Sequence, residues 1–495
     1  MRFPLVINPK TASSSNLHPS FPPHLITSLR LDTIDQLSPL FVDIIQNCHR
    51  ISSLEVLDFG LDVGFLEEAL LLCPAHLKRL AVRSDGFVVM ESMVEVVLGS
   101  NVATQIQTLS LDIGDIGLEE THSLPWSSFR SILDTCTSLS SISLGNVRVM
   151  DVPEYLEETN ALHATTVTFP NITSLTLRQC DISGIGRVRL LRMFPNLRNL
   201  ELVCRDAVFD IENTNANNDS NNAAKGSIES NIKSGNSNDG TEPIPGSEAG
   251  VEDHLLCVNL RRVSVRCTNT RSQVDQDGLY RFLIHLPSLE TLELMGLGTD
   301  SRTLLRIAQE WTRRGVRLRH LHLDFSRRKV LDEGLEMVLR QGCCSKLEIL
   351  DAWCGPSLLF KFWNQETMQS ELPFLETLKG FHLRKDYEAL DNQHELEHIM
   401  NLTLRQMPKL VDLTIAAKLN DYSVFQGMGR EPEVPLPPPD TPMTGIDWSR
   451  ERPFLQTLAI GFSSDFYSNR MSETPRQVGR RFRFLEDFRF VVNVL

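Results

Sequence analysis

The chain has 495 residues, a formal net charge of −14 at pH 7 and 41% hydrophobic residues. That length would suit three ordinary domains, and the apolar content suffices for a continuous core. The acidic balance gives the molecule as a whole no attraction for nucleic acid phosphates, so no nucleic-acid partner is expected outside a local basic patch.

The opening run, Met1 to Pro9, is too short in apolar residues for a secretory signal. No stretch approaches the roughly 18 apolar residues of a membrane helix. A soluble protein of the cytoplasm or nucleus, not secreted and without a membrane partner, is therefore expected. Its ten cysteines should then be thiols rather than disulfides, and the sequons at Asn171, Asn218 and Asn401 should be unused.

Taken in chain order, residues 1–25 form an N-terminal extension whose Phe3 to Ile7 segment reads as a short capping strand. Over 26–204 an apolar triplet at i, i+3 and i+5 then returns seven times. Its copies are Ile26-Leu29-Leu31, Leu54-Leu57-Phe59, Leu77-Leu80-Val82, Ile106-Leu109-Leu111, Leu139-Ile142-Leu144, Ile172-Leu175-Leu177 and Leu197-Leu200-Leu202. Residues 205–253 are rich in Ser, Gly, Asn and Asp, almost without apolar side chains, and read as a disordered insertion. The triplet resumes over 254–427 as Leu260-Val263-Val265, Leu289-Leu292-Leu294, Leu318-Leu321-Leu323, Leu347-Leu350-Ala352, Leu378-Phe381-Leu383 and Leu410-Leu413-Ile415. Residues 428–450, with six prolines from Pro432 to Pro442, read as an exposed loop of polyproline character or as a docking motif for a small adaptor domain. Two copies close the chain over 451–495: Leu455-Leu458-Ile460 and Leu485-Phe488-Phe490. A bare last strand exposes backbone groups, so a cap from further sequence or another chain is expected there.

This pattern, L-x-x-L-x-L, is the leucine-rich-repeat signature. Leu292, Leu321 and Leu350 are spaced 29 residues apart, which leaves room for a helix in every unit. Leu279, Phe282, Leu283 and Leu286 lie at helical spacing, as do Leu304, Ile307, Ala308 and Trp311; Leu335, Val338 and Leu339 line a third stripe. Gly315 and Gly342 stand where helices should stop. No unit can bury its stripe alone, so the units must stack. The expected fold class is α/β: a leucine-rich-repeat solenoid, or horseshoe, with a parallel concave β-sheet and helices on the convex side. Fifteen strands about 4.8 Å apart would span roughly 70 Å, a surface sized for a protein partner.

On each strand the residues between and beside the apolar positions face the concave side. The middle row of units 8–13 reads Ser264, Glu293, His322, Asp351, His382 and Thr414. The next row reads Arg266, Met295, Asp324, Trp353, Arg384 and Ala416. The earlier units are blander, with Ser110, Ser143 and Thr176 beside Asp112, Gly145 and Arg178. Candidate binding residues are therefore Arg266, Glu293, His322, Asp324, Asp351, Trp353, His382 and Arg384, with Trp353 between Asp324 and Arg384 as the expected hot spot. His322, Asp351 and His382 could share a metal or form a plain polar stripe. No fourth ligand is evident, and no metal is assigned.

His394-Glu395-Leu396-Glu397-His398 matches the zinc-hydrolase pattern H-E-x-x-H, in which two histidines one turn apart hold zinc and the glutamate activates water. Asn401 and Leu404 break its extended form, and Leu396, Ile399, Met400 and Leu404 give it the stripe of an ordinary repeat helix on the convex face. Gly184-Ile185-Gly186 lacks the third glycine of a dinucleotide loop. His254 with Cys257, and Cys73 with His76, are isolated pairs. Cys343-Cys344 reads as buried rather than reactive. No phosphate loop or nucleophile–base pair emerges, so neither catalysis nor a cofactor is expected.

Cys136, Cys257 and Cys344 each stand three residues before a first apolar position, and Cys180, Cys204, Cys267 and Cys354 follow strands. Asp277-Gly278-Leu279 and Asp332-Glu333-Gly334-Leu335 open helices. These features resemble the cysteine-containing repeats, and the polar insertions make the chain most similar to the repeat region of fungal F-box/leucine-rich-repeat proteins. The resemblance implies a non-catalytic adaptor: an F-box docks on the Skp1 subunit of a cullin–RING ubiquitin ligase while the repeats hold the substrate. No F-box helices precede Ile26, so the expectation is a repeat-only relative or an F-box encoded upstream. The alternative function is a repeat-only regulator, GTPase-activating or inhibitor-like; a zinc hydrolase through His394, Glu395 and His398 is the remote one.

Overall fold

The computed structural model describes residues 3–7, 26–32, 45–59, 63–84, 90–114, 122–150, 168–180, 190–204, 257–268, 276–297, 299–324, 331–353, 372–389, 409–418, 457–462 and 487–492, with positions 42 and 407. Its strands, in chain order, are β1 (Phe3–Ile7), β2 (Ile26–Asp32), β3 (Ser53–Phe59), β4 (Arg79–Ser84), β5 (Thr108–Ile113), β6 (His122–Pro125), β7 (Ser141–Gly145), β8 (Val147–Met150) and β9 (Ser174–Arg178). There follow β10 (Asn199–Cys204), β11 (Arg262–Cys267), β12 (Thr291–Met295), β13 (His320–Asp324), β14 (Ile349–Trp353), β15 (Gly380–Ala389), β16 (Asp412–Lys418), β17 (Thr457–Phe462) and β18 (Asp487–Val492). All but β6 and β8 form one 16-stranded sheet in chain order. Every ladder described is parallel, including that of β1 with β2, which places Phe3–Ile7 at the first edge of the sheet.

The repeats enter their strands by a shared device. The N–H of the first apolar residue donates to the carbonyl three residues back, as in Leu139 to Cys136, Leu260 to Cys257 and Leu347 to Cys344. One carbonyl of the preceding unit then accepts two consecutive N–H groups: Ser140 takes those of Thr173 and Ser174, and Glu348 takes those of Lys379 and Gly380. The fork fixes register before the ladder begins. Within the strands, burial alternates, so that Leu80 and Val82, Leu109 and Leu111, and Leu292 and Leu294 all enter one continuous apolar cluster.

Helices α1 (Val63–Leu72), α2 (Met90–Gly99), α3 (Trp126–Thr135), α4 (Gln276–Ile284), α5 (Ser301–Arg314) and α6 (Leu331–Leu339) add to that core, together with turn residues such as Phe169, Phe194 and Cys344. The last three pack in succession, α4 on α5 and α5 on α6. Helix α5 shows why its segment folds as it does. The Asp300 carboxylate caps it by accepting the Thr303 N–H at 2.7 Å. Leu304, Ile307, Ala308 and Trp311 bury one face. Gly315, at φ 77°, ends it in the left-handed region that glycine tolerates. The architecture is the α/β leucine-rich-repeat solenoid that the triplets predict.

Two local expectations differ, and one strand pair was not foreseen. The second repeat is Ile51-Leu54-Val56, not Leu54-Leu57-Phe59: Leu54 pairs with Leu29 and Leu80, and Val56 with Leu31 and Val82. Ile51, Leu54 and Val56 are buried, while Leu57 is half-buried. This places buried Cys48 three residues before a first apolar position, alongside Cys136, Cys257 and Cys344. Gly342 does not cap α6, which ends at Leu339. It opens a 3-10 turn instead, and a Cβ there would meet the Thr312 methyl at 2.9 Å. Strands β6 and β8 form a separate parallel pair against α2 and α3.

The two insertions leave no gap in the sheet: Leu200 of β10 pairs directly with Val263 of β11, and Leu413 of β16 with Leu458 of β17. Residues 205–253 and 428–450 themselves, His394 to His398, Gly184 to Gly186 and Cys354 lie outside the described residues.

Candidate recognition surface

Cross-strand pairing aligns the middle row in register: Ser264, Glu293, His322, Asp351, His382 and Thr414 face one another on β11 to β16. They stand one residue after an apolar position that points to the core, so the pleat turns them to the open face. Exposure along the row is uneven. Asp351 is only 6% exposed, because histidines flank it on both neighbouring strands.

His322 Nδ1 lies 3.2 Å from Asp351 Oδ2. That carboxylate fixes the proton on Nδ1 in the neutral ring and leaves Nε2 as an acceptor; Nε2 is buried without a hydrogen-bond partner. On the other side, His382 Nδ1 lies 3.7 Å from the same Asp351 oxygen and Nε2 lies 3.1 Å from Asp412 Oδ2. The latter contact is close enough for charge attraction but too misaligned for a directed hydrogen bond. Burial pulls the His382 pKa down. The neighbouring Asp351 and Asp412 carboxylates together outweigh it, so the net shift is upward. The cluster runs imidazole, carboxylate, imidazole, carboxylate across four strands. Asp412 was missed from sequence because it precedes its core leucine rather than following it; its place beside the middle-row histidine is the signal that could have found it.

The row's other end is closed by β11. Arg262 donates to Glu293 at 2.6 Å, and Arg266 reaches Met295 Sδ at 3.3 Å. In the outer row, Arg266, Met295 and Asp324 are in register, as are Trp353 and Arg384. The β13–β14 ladder ends at Leu323 and Ala352, so Asp324 and Trp353 are not paired across it. The expected trio is therefore a Trp353–Arg384 backbone pair with Asp324 outside the ladder. Asp324 is half-buried, and its carbonyl accepts the Gly296 N–H at 2.9 Å.

A feature not foreseen runs along the strand entry edge. Arg261 pairs with Glu290 at 3.3 Å, Arg319 Nε donates to Glu348 at 2.8 Å, and Lys379 reaches Glu348 at 2.9 Å. Lys379 and Arg319 together hold the Glu348 carboxyl below its ordinary range. Such exposed pairs contribute about 0–1 kcal/mol each and mainly fix side-chain order.

The earlier units also align, with Ser110, Ser143 and Thr176 in register. Here Asp112 lies across Gly145, where a Cβ would come within 2.0 Å of its Oδ1. Asn146, in the left-handed region at φ 55°, donates to Asp112 Oδ1 at 3.2 Å. Burial raises the Asp112 pKa despite the opposing charges of Arg83 and Arg178.

Among the described residues, no group of three or more His, Cys, Asp or Glu is arranged to hold a metal ion. The nine described cysteines are free and buried. Burial pushes the Cys73 and Cys257 thiols up to about 12 and Cys136 to about 11, which suits core packing and removes nucleophilic thiolate. Cys343 and Cys344 are fully buried at the turn before β14, their sulfurs 3.9 Å apart. No described helix is long and apolar enough to cross a membrane.

No family model matches the chain, and no curated protein matches it. Solved structures do. The TLR13 chain of a TLR13–ssRNA13 complex is 12% identical with a TM-score of 0.35, covering 94% of this chain. This chain spans 55% of that one. The leucine-rich repeat-containing protein LegL7 from Legionella pneumophila is 13% identical with a TM-score of 0.35, covering 83% of this chain and 99% of its own. These likenesses concern the fold alone.

Proposed function

We propose that the chain is a non-catalytic protein-recognition scaffold that binds its partner on the open face of β11 to β16, as the substrate-holding part of an F-box/leucine-rich-repeat adaptor of a cullin–RING ubiquitin ligase. The in-register row from Glu293 to Thr414 is the observation that carries the scaffold reading. It sets polar and ionisable side chains at strand spacing on the face opposite the core-facing leucines, a geometry suited to reading a protein surface. The cysteine turns and polar insertions support the adaptor reading by resemblance. Arg266, Glu293, His322, Asp324, Trp353, His382 and Arg384 are the proposed contacts, and buried Asp351 positions the two histidines.

Two measurements test this. Affinity purification from the native organism, comparing the wild-type chain with Trp353→Ala/Arg384→Ala, should show a partner that the variant loses; an unchanged partner set moves the site elsewhere. Purified Skp1 mixed with the full-length gene product should be retained; failure there ends the ligase reading and leaves the scaffold reading standing.

A further inference from the structure

Helix α5 stands apart in charge. The chain as a whole carries −14. Helices α1, α2 and α6 each hold an excess of acids, and α3 and α4 are balanced. Helix α5 has four arginines and one glutamate. Its exposed side chains are Arg302, Arg306, Gln309 and Arg313, at steps of four, three and four residues. That spacing keeps them on one line along the outer ridge of the helix, about 16 Å long at a rise of about 1.5 Å per residue.

Helix stability accounts for part of this charge. Arg313 and Arg314 lie in the last turn, where cations suit the helix dipole, and both donate to Glu310, at 2.9 and 2.5 Å. One carboxylate between two guanidinium groups still leaves a positive excess. Arg306 lies over the Tyr280 ring of α4 at 4.3 Å and 3.6 Å from Asp277. Arg302 has no such explanation. It sits in the first turn, where a cation opposes the dipole, and it makes no hydrogen bond or ion pair among the described residues. Beyond Gly315 the exposed Arg317 extends the ridge. Across α4, α5, its cap and the turn after it, six arginines stand against Asp277, Asp300 and Glu310.

An apolar side chain lies alongside. Met337 of α6 is 40% exposed, one of three large hydrophobics so placed among the described residues. Thr312 of α5 accepts the Cys343 N–H at 3.0 Å, an offset of 31 residues between the two units. The same offset brings Met337 beside Arg306. Glu336, the acid next to Met337, is paired with Arg340 at 2.9 Å.

We propose that the ridge of α5, with Met337, is a second docking surface, on the helical side of the sheet, and that it takes an acidic helix of a partner protein. The inference goes beyond the recognition-scaffold reading and does not rest on it. Carboxylates spaced four, three and four residues apart on such a helix stay on one line and meet the arginines in turn. Each guanidinium offers a forked pair of N–H donors that a carboxylate accepts. An apolar side chain of the same helix covers Met337, whose flexible thioether adapts to it. A nucleic acid fits less well. The ridge is short, the rest of the chain repels a long polyanion, and the adjoining Tyr280 ring is already covered by Arg306.

Fluorescence anisotropy with three labelled probes on the full chain tests this. One is a helical peptide with glutamates at the four-three-four spacing and a leucine to meet Met337. The second has the same composition with its glutamates spread around the helix, and the third is a single-stranded RNA. The spaced peptide should bind about tenfold more tightly than the spread one, and Arg302→Gln/Arg306→Gln/Arg313→Gln should weaken it about tenfold. Arg302→Gln alone breaks no contact among the described residues, so it leaves the fold intact; it should weaken the spaced peptide about threefold. Met337→Ser should weaken it as well. Unchanged circular dichroism spectra confirm that the variants fold. Equal binding of the two peptides, binding that the arginine substitutions leave unaltered, or no peptide binding overturns the inference. So does RNA that binds more tightly than the spaced peptide and is lost on the triple substitution, which would give the ridge to phosphates. None of these results bears on the recognition face of β11 to β16.

Discussion

Trp311 donates its indole N–H to the Leu283 carbonyl at 2.9 Å, joining helix α5 to helix α4. Both residues are buried. Trp311→Phe removes the donor while Leu283 still accepts the Leu286 N–H at 3.3 Å. The expected loss is about 1–2 kcal/mol, against about 3–5 kcal/mol for Trp311→Ala, which also opens a cavity. Urea midpoints of the three proteins should fall in that order.

Gly296 and Gly315 share a positive φ, 67° and 77°, yet should respond differently to alanine. A Cβ on Gly296 would lie 2.3 Å from the Cys267 carbonyl oxygen, while nothing lies within 4 Å of one on Gly315. Gly315→Ala should cost about 1–2 kcal/mol from backbone strain alone. Gly296→Ala must also displace a neighbouring strand's backbone and should be the more damaging by a clear margin in thermal melts. Equal melts would show that the β11 turn yields easily.

The register of the second repeat is open to a direct check. Ile51→Ala should cost about 2–5 kcal/mol as a core truncation. Leu57→Ala, at a half-buried position, should cost less than half as much. The reverse order in chemical denaturation would restore the alternative triplet.

That triplet shows what the sequence can and cannot settle. Ile51, Leu54, Leu57 and Phe59 are all apolar, and Leu54 serves as first residue of one pattern or second of another. Only pairing with Leu29 and Leu80 distinguishes them. Where the pattern is unambiguous, as from Leu289 to Leu350, the alignment predicts every middle-row neighbour. Strands β6 and β8 were illegible because four residues carry too little periodicity. Asp412 was overlooked because membership of a cluster depends on side-chain reach across strands, which spacing along one strand does not encode.

His382 links stability to pH. Its folded pKa is raised above the unfolded value. Its contribution is therefore fully present below the ordinary imidazole value of about 6.5 and is lost as pH rises through the folded value. The urea-midpoint difference between wild type and His382→Gln should be largest near pH 5.5 and shrink toward pH 8.5. A difference that grows with pH would mean the ring is held neutral.

Asp112 gives the same sign from a carboxyl. Burial raises its pKa, so its charged form opposes folding, and that cost is present at neutral pH and relieved by acid. Asp112→Asn keeps an oxygen for the Asn146 amide. It should leave stability at pH 7 unchanged or slightly higher, as read from a denaturation curve, whereas a marked loss would show that Arg83 and Arg178 hold the carboxylate after all.

The direct pairing of β10 with β11 has a consequence for how this chain can vary. Closing a longer connection between two strands that already meet adds a cost that rises only with the logarithm of its length. The junction is thus a permissive port: sequence could be lengthened, shortened or replaced there while the neighbouring rungs keep their alignment. A lineage, or an engineer, could fit a reporter or a second binding module at this point without retuning the surface beside it.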